Sequence, residues 1–493
     1  MVCPHMKKPK LQYIIYPGIF FLLSGITLMC LCSSLYTHVL NSSLGFSPDS
    51  AYFKAWRRTQ TPPYMEIYLF NWTNPEDGHN ENIKPRFTEI GPFKFKEYKE
   101  KFNITFNANN TISFRQKKVW YFDEEASCCS LDVNVTTLNA VLVTLSHKAK
   151  GYSMVLKMGL SFGLRAMSPN LHVTKTAREL LFEGYVDNLL ATLKNTGMAS
   201  LPDKFGFFHG KNDTSRDGYY NMDTHPSAKG LIRKWNHETD TTYFEGACSK
   251  VHGTTAEMYP PGRDQTSVAF FSGDMCRQLK LDYDRDESFY GLGTYRFIAN
   301  TSLLDNGTLI PENSCYCNGK CMPSGVMNIS ACREGSPTFI SMPHFLNADP
   351  VYLDAVEGLS PDPDKHQLYQ LVEPNTGLVV EAAIRIQMNF HLKPIAMMPI
   401  INDVPNVMFP ILWFQTQAKG TPEVASKLSL LLNLPAILQG IAYTVIVISV
   451  LMILVGLYLK RKEATPILPE IHQSEAVPLK KSDFDSGTTK SRL

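Results

Sequence analysis

Two long stretches of the chain carry no charge at all. Residues 11–36 form the first and residues 428–459 the second. A helix rises about 1.5 Å per residue, so the first stretch reaches about 39 Å, enough to cross a hydrocarbon core of about 30 Å. Pro17 and Gly18 lie inside it, which a membrane helix tolerates. It is too long for the apolar part of a cleaved signal peptide, about 7–15 residues, and reads as an uncleaved anchor. Transmembrane helices are expected at 11–36 and 435–459. Lys7, Lys8 and Lys10 precede the first, and Lys460, Arg461 and Lys462 follow the second. Cationic flanks stay cytosolic because moving them across the bilayer is costly. The expectation is a cytoplasmic tail at 1–10, another at 460–493, and residues 37–434 outside the cytosol. A polar tail beyond the second span argues against a lipid-anchor signal there.

Between the spans the pattern changes to short periods. Residues 64–70, 93–98 and 119–122 are aromatic or β-branched, alternate in part, and are separated by Asn, Gly and Pro, as strands are. Residues 268–271, 294–298 and 378–392 repeat that character. Residues 138–200 differ. Leu138, Val141, Leu142 and Leu145 recur at helical spacing, as do Met154, Val155, Met158 and Phe162, and again Leu181, Tyr185, Leu189 and Leu193. The expected fold class is α+β, with a helical subdomain at about 138–200 inside a β-rich domain.

Composition narrows the picture. The 493 residues are 44% hydrophobic and 19% charged with a net charge of +2, which excludes a disordered chain and a basic nucleic-acid binder. Nine Asn-x-Ser/Thr sequons occur, at Asn41, Asn71, Asn103, Asn109, Asn134, Asn212, Asn300, Asn306 and Asn328. All lie between the two spans, which supports an outside location for that segment. Cys128, Cys129, Cys248, Cys276, Cys315, Cys317, Cys321 and Cys332 lie there too. In an oxidising compartment they are expected to pair, in one of 105 ways that spacing cannot choose between. No histidine or second Cys pair completes a zinc pattern around Cys315, Cys317 and Cys321, so no metal or other cofactor is expected. Cys3 is a weak palmitoylation candidate beside the first span.

Charge is uneven in one place. Residues 133–178 hold no Asp or Glu, but do hold Lys148, Lys150, Lys157, Arg165, Lys175, Arg178, His147 and His172. Such a surface attracts anionic partners, although a solvated helix face with its acids on neighbouring segments gives the same pattern.

Gly159-Leu-Ser161-Phe-Gly163 matches the G-x-S-x-G elbow of lipases. That chemistry needs Ser on a sharp strand-to-helix turn, whereas the surrounding apolar spacing puts Ser161 in mid-helix. No catalytic residue is assigned and no enzyme is expected. His344 reads as a structural hydrogen-bonding residue. In the C-terminal tail, the Glu463 to Leu468 segment resembles an acidic dileucine sorting signal, and Ser491-Arg-Leu493 fits a PDZ-binding end. A sorting or PDZ adaptor is therefore a candidate partner.

Ten short motifs in order carry a resemblance over nearly the whole chain. They are Asn71-Trp-Thr-Asn-Pro75, Glu89-Ile-Gly-Pro-Phe93, Arg178-Glu-Leu-Leu181, Tyr259-Pro-Pro261, Phe270-Phe-Ser-Gly-Asp-Met-Cys276, Cys315-Tyr-Cys317, Gly335-Ser-Pro337, Met342-Pro-His-Phe345, Glu373-Pro-x-Thr-Gly377 and Pro410-Ile-Leu-Trp413. Together with the two-span frame they resemble the scavenger receptor class B (CD36) family, in an insect-type form. The resemblance implies a large antiparallel β-barrel-like ectodomain, an apical helical bundle and an internal hydrophobic tunnel. It implies disulfides Cys248–Cys315, Cys276–Cys332 and Cys317–Cys321, leaving Cys128 and Cys129 as a vicinal pair or free thiols. It also implies that the apical cations Lys148, Lys150, Lys157, Arg165, Lys175 and Arg178 dock ligands. The family's ligand-docking lysine falls near Ala166, where Arg165 beside it supplies the positive charge. The expected function is a cell-surface receptor that binds lipids and lipoprotein-like carriers. It would pass fatty acids, sterols, sterol esters or carotenoids passively to the bilayer. The alternative is an endolysosomal or sensory receptor that binds a partner without bulk transport.

Overall fold

Both charge-free stretches are helical in the computed structural model, which describes residues 12–59, 61–195, 203–317 and 319–464. The first helix is α1 (Gln12–Leu44) and the last spans Pro422–Ala464; each is long and apolar enough to cross a membrane. Their described parts up to Tyr36 and from Leu434 form one unit, and Thr37–Asn433 form a second. Within the first unit the helices approach closely at glycines. A Cβ on Gly25 would lie 2.8 Å from Ile446, and one on Gly18 would lie 2.9 Å from Ile453. Small residues permit such contact where lipid supplies no hydrophobic drive for helix association.

In the second unit the end of α1 is followed by α2 (Ala51–Arg57), whose N-cap Ser50 accepts a hydrogen bond from the Phe53 N–H at 2.9 Å. Then come β1 (Tyr64–Trp72), β2 (Phe87–Asn107), β3 (Thr111–Phe122) and β4 (Asn134–Leu138). The cap region follows with α3 (Ala140–Lys148), α4 (Met154–Met167), β5 (His172–Thr176) and α5 (Asn188–Asn195). The chain continues through β6 (Tyr219–Asp223), β7 (Ile232–Trp235), β8 (Ser267–Ser272), β9 (Arg277–Phe289), β10 (Leu292–Ile298), β11 (Val326–Asn328) and β12 (Thr338–Ser341). It ends through α6 (Pro350–Asp354), α7 (Pro363–His366), β13 (Tyr369–Val372), β14 (Val379–Leu392), β15 (Val407–Lys419) and α8, the helix from Pro422.

Thirteen of these strands make one antiparallel sheet, ordered β7-β6-β3-β2-β1-β15-β14-β13-β10-β9-β8, with β12 also beside β14 and carrying β11. Its two edge strands are bridged by a short segment. The Ile232 N–H donates to Gly253 O at 2.8 Å, and the Phe271 N–H to Thr254 O at 2.9 Å. The sheet is therefore a nearly closed barrel, as the α+β reading with a barrel-like core expects. β1 alternates as a strand covered on one face does, with Met65, Ile67 and Leu69 buried. β15 is buried continuously from Val407 to Trp413, as a central strand covered on both faces is. One apolar core joins Ile67, Phe70, Phe93, Phe409 and Leu412 to α3 through Val141 and Leu142; another joins Leu279, Leu281, Phe297, Val372 and Ile386.

The cap departs from the helical reading of residues 138–200 in two places. β4 and β5 pair as an antiparallel ribbon, with the Thr136 and Thr174 hydroxyls 2.7 Å apart. The third helical run breaks at Gly184, whose φ of +72° suits glycine. A π-helical turn, Glu179–Glu183, precedes it, and Tyr185 then exchanges backbone hydrogen bonds with Phe205 at 2.9 and 3.0 Å. Helical spacing survives this because Leu181, Tyr185 and Leu189 all reach the core from different elements.

Candidate functional site

The cap holds the residues of interest. Asn139 caps α3 by accepting from the Leu142 N–H at 3.0 Å, which turns Val141, Leu142 and Val143 into the core. Ser153 caps α4 at 3.5 Å from Leu156 N, and Ser168 ends it with φ +42°. Only Leu164 of α4 is fully buried. Met154, Val155, Met158 and Phe162 lie on the opposite side and are 65%, 73%, 49% and 78% exposed.

A cleft of about 210 Å³ is lined by Ser161, Leu164, Arg165 and Ser168 of the α4 region and by Met398 and Ile400. It is smaller than the roughly 300–1,000 Å³ that encloses a drug-sized ligand. Three apolar side chains, two hydroxyls and a guanidinium suit the polar end of an amphiphile and the start of its chain.

The six cations expected to dock ligands differ in their surroundings. The Arg178 Nε lies 2.9 Å from Asp132, with Glu183 at 3.7 Å, so this side chain is held in ion pairs. The Lys175 Nζ sits 5.0 Å above the Tyr185 ring. Lys148 runs past Gly335. Arg165 is exposed at the cleft, and Lys157 is half-buried on α4. The Lys150 Nζ lies 3.5 Å from His147 Nδ1. Among the described residues no carboxylate pairs with Lys148, Lys150, Lys157, Arg165 or Lys175.

The fold adds His391 and Lys393, from the end of β14, to Lys150 and His147. Burial lowers the Lys150 pKa to about 8, and Lys393 adds to the shift. Burial, then Lys150, Lys393 and His391, lower the His147 pKa to about 4. His391, buried beside Lys393 and Lys150 and hydrogen-bonded to Asn406 at 2.9 Å, is also lowered to about 4. Mutual depression of this kind marks cations gathered without a counter-ion. Sequence reading stopped at Arg178 and missed both residues, because more than 200 positions separate them from Lys150. The one signal was their place at the end of a long apolar strand.

His344 lies elsewhere, in the segment of residues 343–367 that contacts β2, β14 and β15. Its Nε2 is 2.7 Å from Glu89 Oε2, which also accepts from Trp413 Nε1 at 2.6 Å. Its Nδ1 accepts from the Ser360 N–H at 3.0 Å, so the Nε2 carries the proton that Glu89 receives. Burial alone would raise the Glu89 pKa, but hydrogen bonds from His344 and Trp413 outweigh it and the value falls. Arg385 holds the same segment through Asp364 O at 3.1 Å and Gln367 O at 2.9 Å. Ser161 sits inside α4, not on a strand-to-helix turn.

Disulfides join Cys248 to Cys315, Cys276 to Cys332, Cys317 to Cys321 and Cys128 to Cys129. Cys3, Ser491-Arg-Leu493 and, beyond Ala464 at the end of α8, the rest of the dileucine-like segment lie outside the described residues. Of the sequon asparagines, Asn41, Asn103, Asn109, Asn134 and Asn212 are exposed, while Asn71, Asn300, Asn306 and Asn328 are half-buried.

Two candidate membrane spans, a nearly closed antiparallel sheet and a cap rich in unpaired cations define a membrane protein with a barrel-and-cap domain. The chain belongs to the CD36 family, whose model matches residues 17–460. Protein peste of Drosophila melanogaster is 35% identical over 426 residues, covering 85% of this chain and 77% of its own length. Scavenger receptor class B member 1 of Mus musculus is 31% identical over 446 residues, 89% of this chain and 87% of its own. Lysosome membrane protein 2 of Homo sapiens is 29% identical over 418 residues, with 83% and 86% covered.

Proposed function

We propose that this chain is a cell-surface receptor that takes lipophilic molecules from carriers and passes them down its domain to the bilayer. Membership of the CD36 family supports a lipid- or scavenger-receptor role in the broad sense. The finer reading places residues 37–434 outside, both tails in the cytosol, glycans on the sequons, and cargo among fatty acids, sterols, sterol esters and carotenoids. The observation that carries it is the cleft beside α4. Leu164, Met398 and Ile400 offer an apolar floor, while Arg165, Ser161 and Ser168 offer a polar rim. An alkyl chain loses about 0.8 kcal/mol per CH₂ on exposure to water, so a continuous dry path is a passive route that needs no fuel. Arg165 at the mouth admits carboxylate, phosphate or hydroxyl head groups alike.

The test is uptake of fluorescent fatty acid and sterol ester by cells that express the full chain. Ser161→Trp fills the cleft from its half-buried rim without opening the core, and is expected to reduce uptake several-fold at equal surface expression. Undiminished uptake would remove the cleft from the route.

A further inference from the structure

We propose that Arg277, Tyr316 and Lys320 form a binding site for one small monovalent anion, such as chloride, in a recess beside the disulfides at the start of β9. The site goes beyond the receptor reading and does not depend on it.

Disulfides build the recess. Arg277 opens β9 directly after Cys276, which is joined to Cys332. Tyr316 stands between Cys315, joined to Cys248, and Cys317, joined to Cys321. The segments that carry the two side chains are thereby held, and the Arg277 guanidinium carbon lies 3.2 Å from the Tyr316 ring centroid. Val326 and Met327 of β11 and Phe339 of β12 add an apolar wall, and Lys320 is the exposed cation of the lining. The recess has a volume of about 30 Å³. A water needs about 10–15 Å³, so an ion of one or a few atoms fits and an alkyl chain does not.

Charge selects the occupant. Arg277 is only 5% exposed. Its Nε donates to Gln278 O at 3.0 Å and its Nη1 to the Met327 Sδ, and neither acceptor carries a charge. Among the described residues no carboxylate lies within ion-pair distance of Arg277 or Lys320. Burial lowers the Arg277 pKa to about 10, against the opposite pull of Tyr316. The guanidinium therefore stays charged at neutral pH, and a buried charge is costly unless it is paired. Asp305 is the one acid among the described lining residues. Its carboxylate accepts the N–H groups of Gly307, Leu309 and Ile310 at 3.0, 3.0 and 2.9 Å. Burial alone would raise its pKa, but these hydrogen bonds outweigh it and the value falls. Arg277 and Lys320 against Asp305 leave one positive charge over. A single negative charge balances it, whereas a phosphate dianion overshoots and meets Asp305 as well. The sequon asparagines Asn306 and Asn328 line the same recess, so the site is tested on the glycosylated chain.

The full-length glycosylated chain in detergent is titrated with chloride, with gluconate holding the ionic strength constant, and the chloride NMR line width is followed. Saturable broadening that bromide displaces is expected. The melting temperature should be higher in chloride than in gluconate, because an ion that binds only the folded chain stabilises it. Arg277→Gln is expected to remove both effects. Lys320→Glu changes only an exposed side chain; it should leave the melting temperature in gluconate unchanged and weaken chloride affinity severalfold. That variant carries the test if Arg277→Gln fails to fold. Absence of saturable broadening in the wild-type chain overturns the proposal, and so does equal chloride affinity in the wild-type and Lys320→Glu chains. Phosphate that displaces chloride at lower concentration than bromide does also overturns it, since the recess would then belong to a dianion.

Discussion

His344 and His366 lie face to face, ring centroids 4.3 Å apart and 10° from parallel. Both Nδ1 atoms accept backbone N–H groups, from Ser360 at 3.0 Å and Asp362 at 2.9 Å. Burial, then His344, lowers the His366 pKa from 6.5 to about 4, against the opposite pull of Glu89 and Asp362. His147 and His391 are lowered to about 4 as well. All three therefore protonate more readily in the unfolded chain. Their contribution to stability is complete above pH 6.5 and is lost as pH falls from there toward 4, by about 1–2 kcal/mol each at pH 5. Thermal melting of the full-length protein should show a midpoint that falls between pH 7 and pH 5. His366→Asn keeps an acceptor for the Asp362 N–H but cannot take a proton, and should flatten that fall by about a third. An unchanged slope would place the acid sensitivity elsewhere.

At the scale of elements, closure of the sheet depends on the segment that links β7 to β8. Gly253 has φ +103°, and a Cβ there would lie 2.8 Å from the Phe270 Cα and 2.9 Å from Ala269 O, both backbone atoms that cannot turn aside. Gly253→Ala should cost roughly 2–4 kcal/mol, combining positive-φ strain with overpacking. Gly262 also has positive φ, +74°, but faces open space. Gly262→Ala should cost only about 1 kcal/mol. Thermal melting of the two variants side by side checks the difference, and equal losses would show that closure at Gly253 is not tight. The helices of the cap give the complementary lesson. Periodicity located α3 and α4 because both are true amphipathic helices. It could not reveal the β4–β5 ribbon, whose Thr-rich strands are short, nor the break at Gly184, where core residues keep helical spacing across three different elements.

For the whole molecule, residues 133–178 gather cations without a single acid. Charge reversal of Lys148, Lys150 and Lys157 together breaks no ion pair among the described residues, so folding should survive. Binding of anionic lipoprotein-like particles to cells should fall about tenfold, and more at low salt than at high salt because exposed charges are screened within about 8–10 Å. Binding that survives reversal with surface expression intact would move carrier recognition off the cap. Glu89, Trp413 and Arg385 act at the same scale in another way: from three separate strands, Glu89 bonds His344, Arg385 bonds Asp364 O, and Trp413 bonds Glu89.

The sequence by itself determined the two apolar spans, the strand character of residues 64–70, 268–271 and 378–392, the helices of the cap and its acid-free stretch. Each of these is written in local spacing, where side-chain period and charge have direct physical meaning. Only the tertiary structure decided that the α4 ridge faces water, that Arg178 is held by Asp132, and that Lys393 and His391 join Lys150. Those outcomes depend on which surfaces the barrel covers and which distant strand ends it brings to the cap, and no local period encodes them.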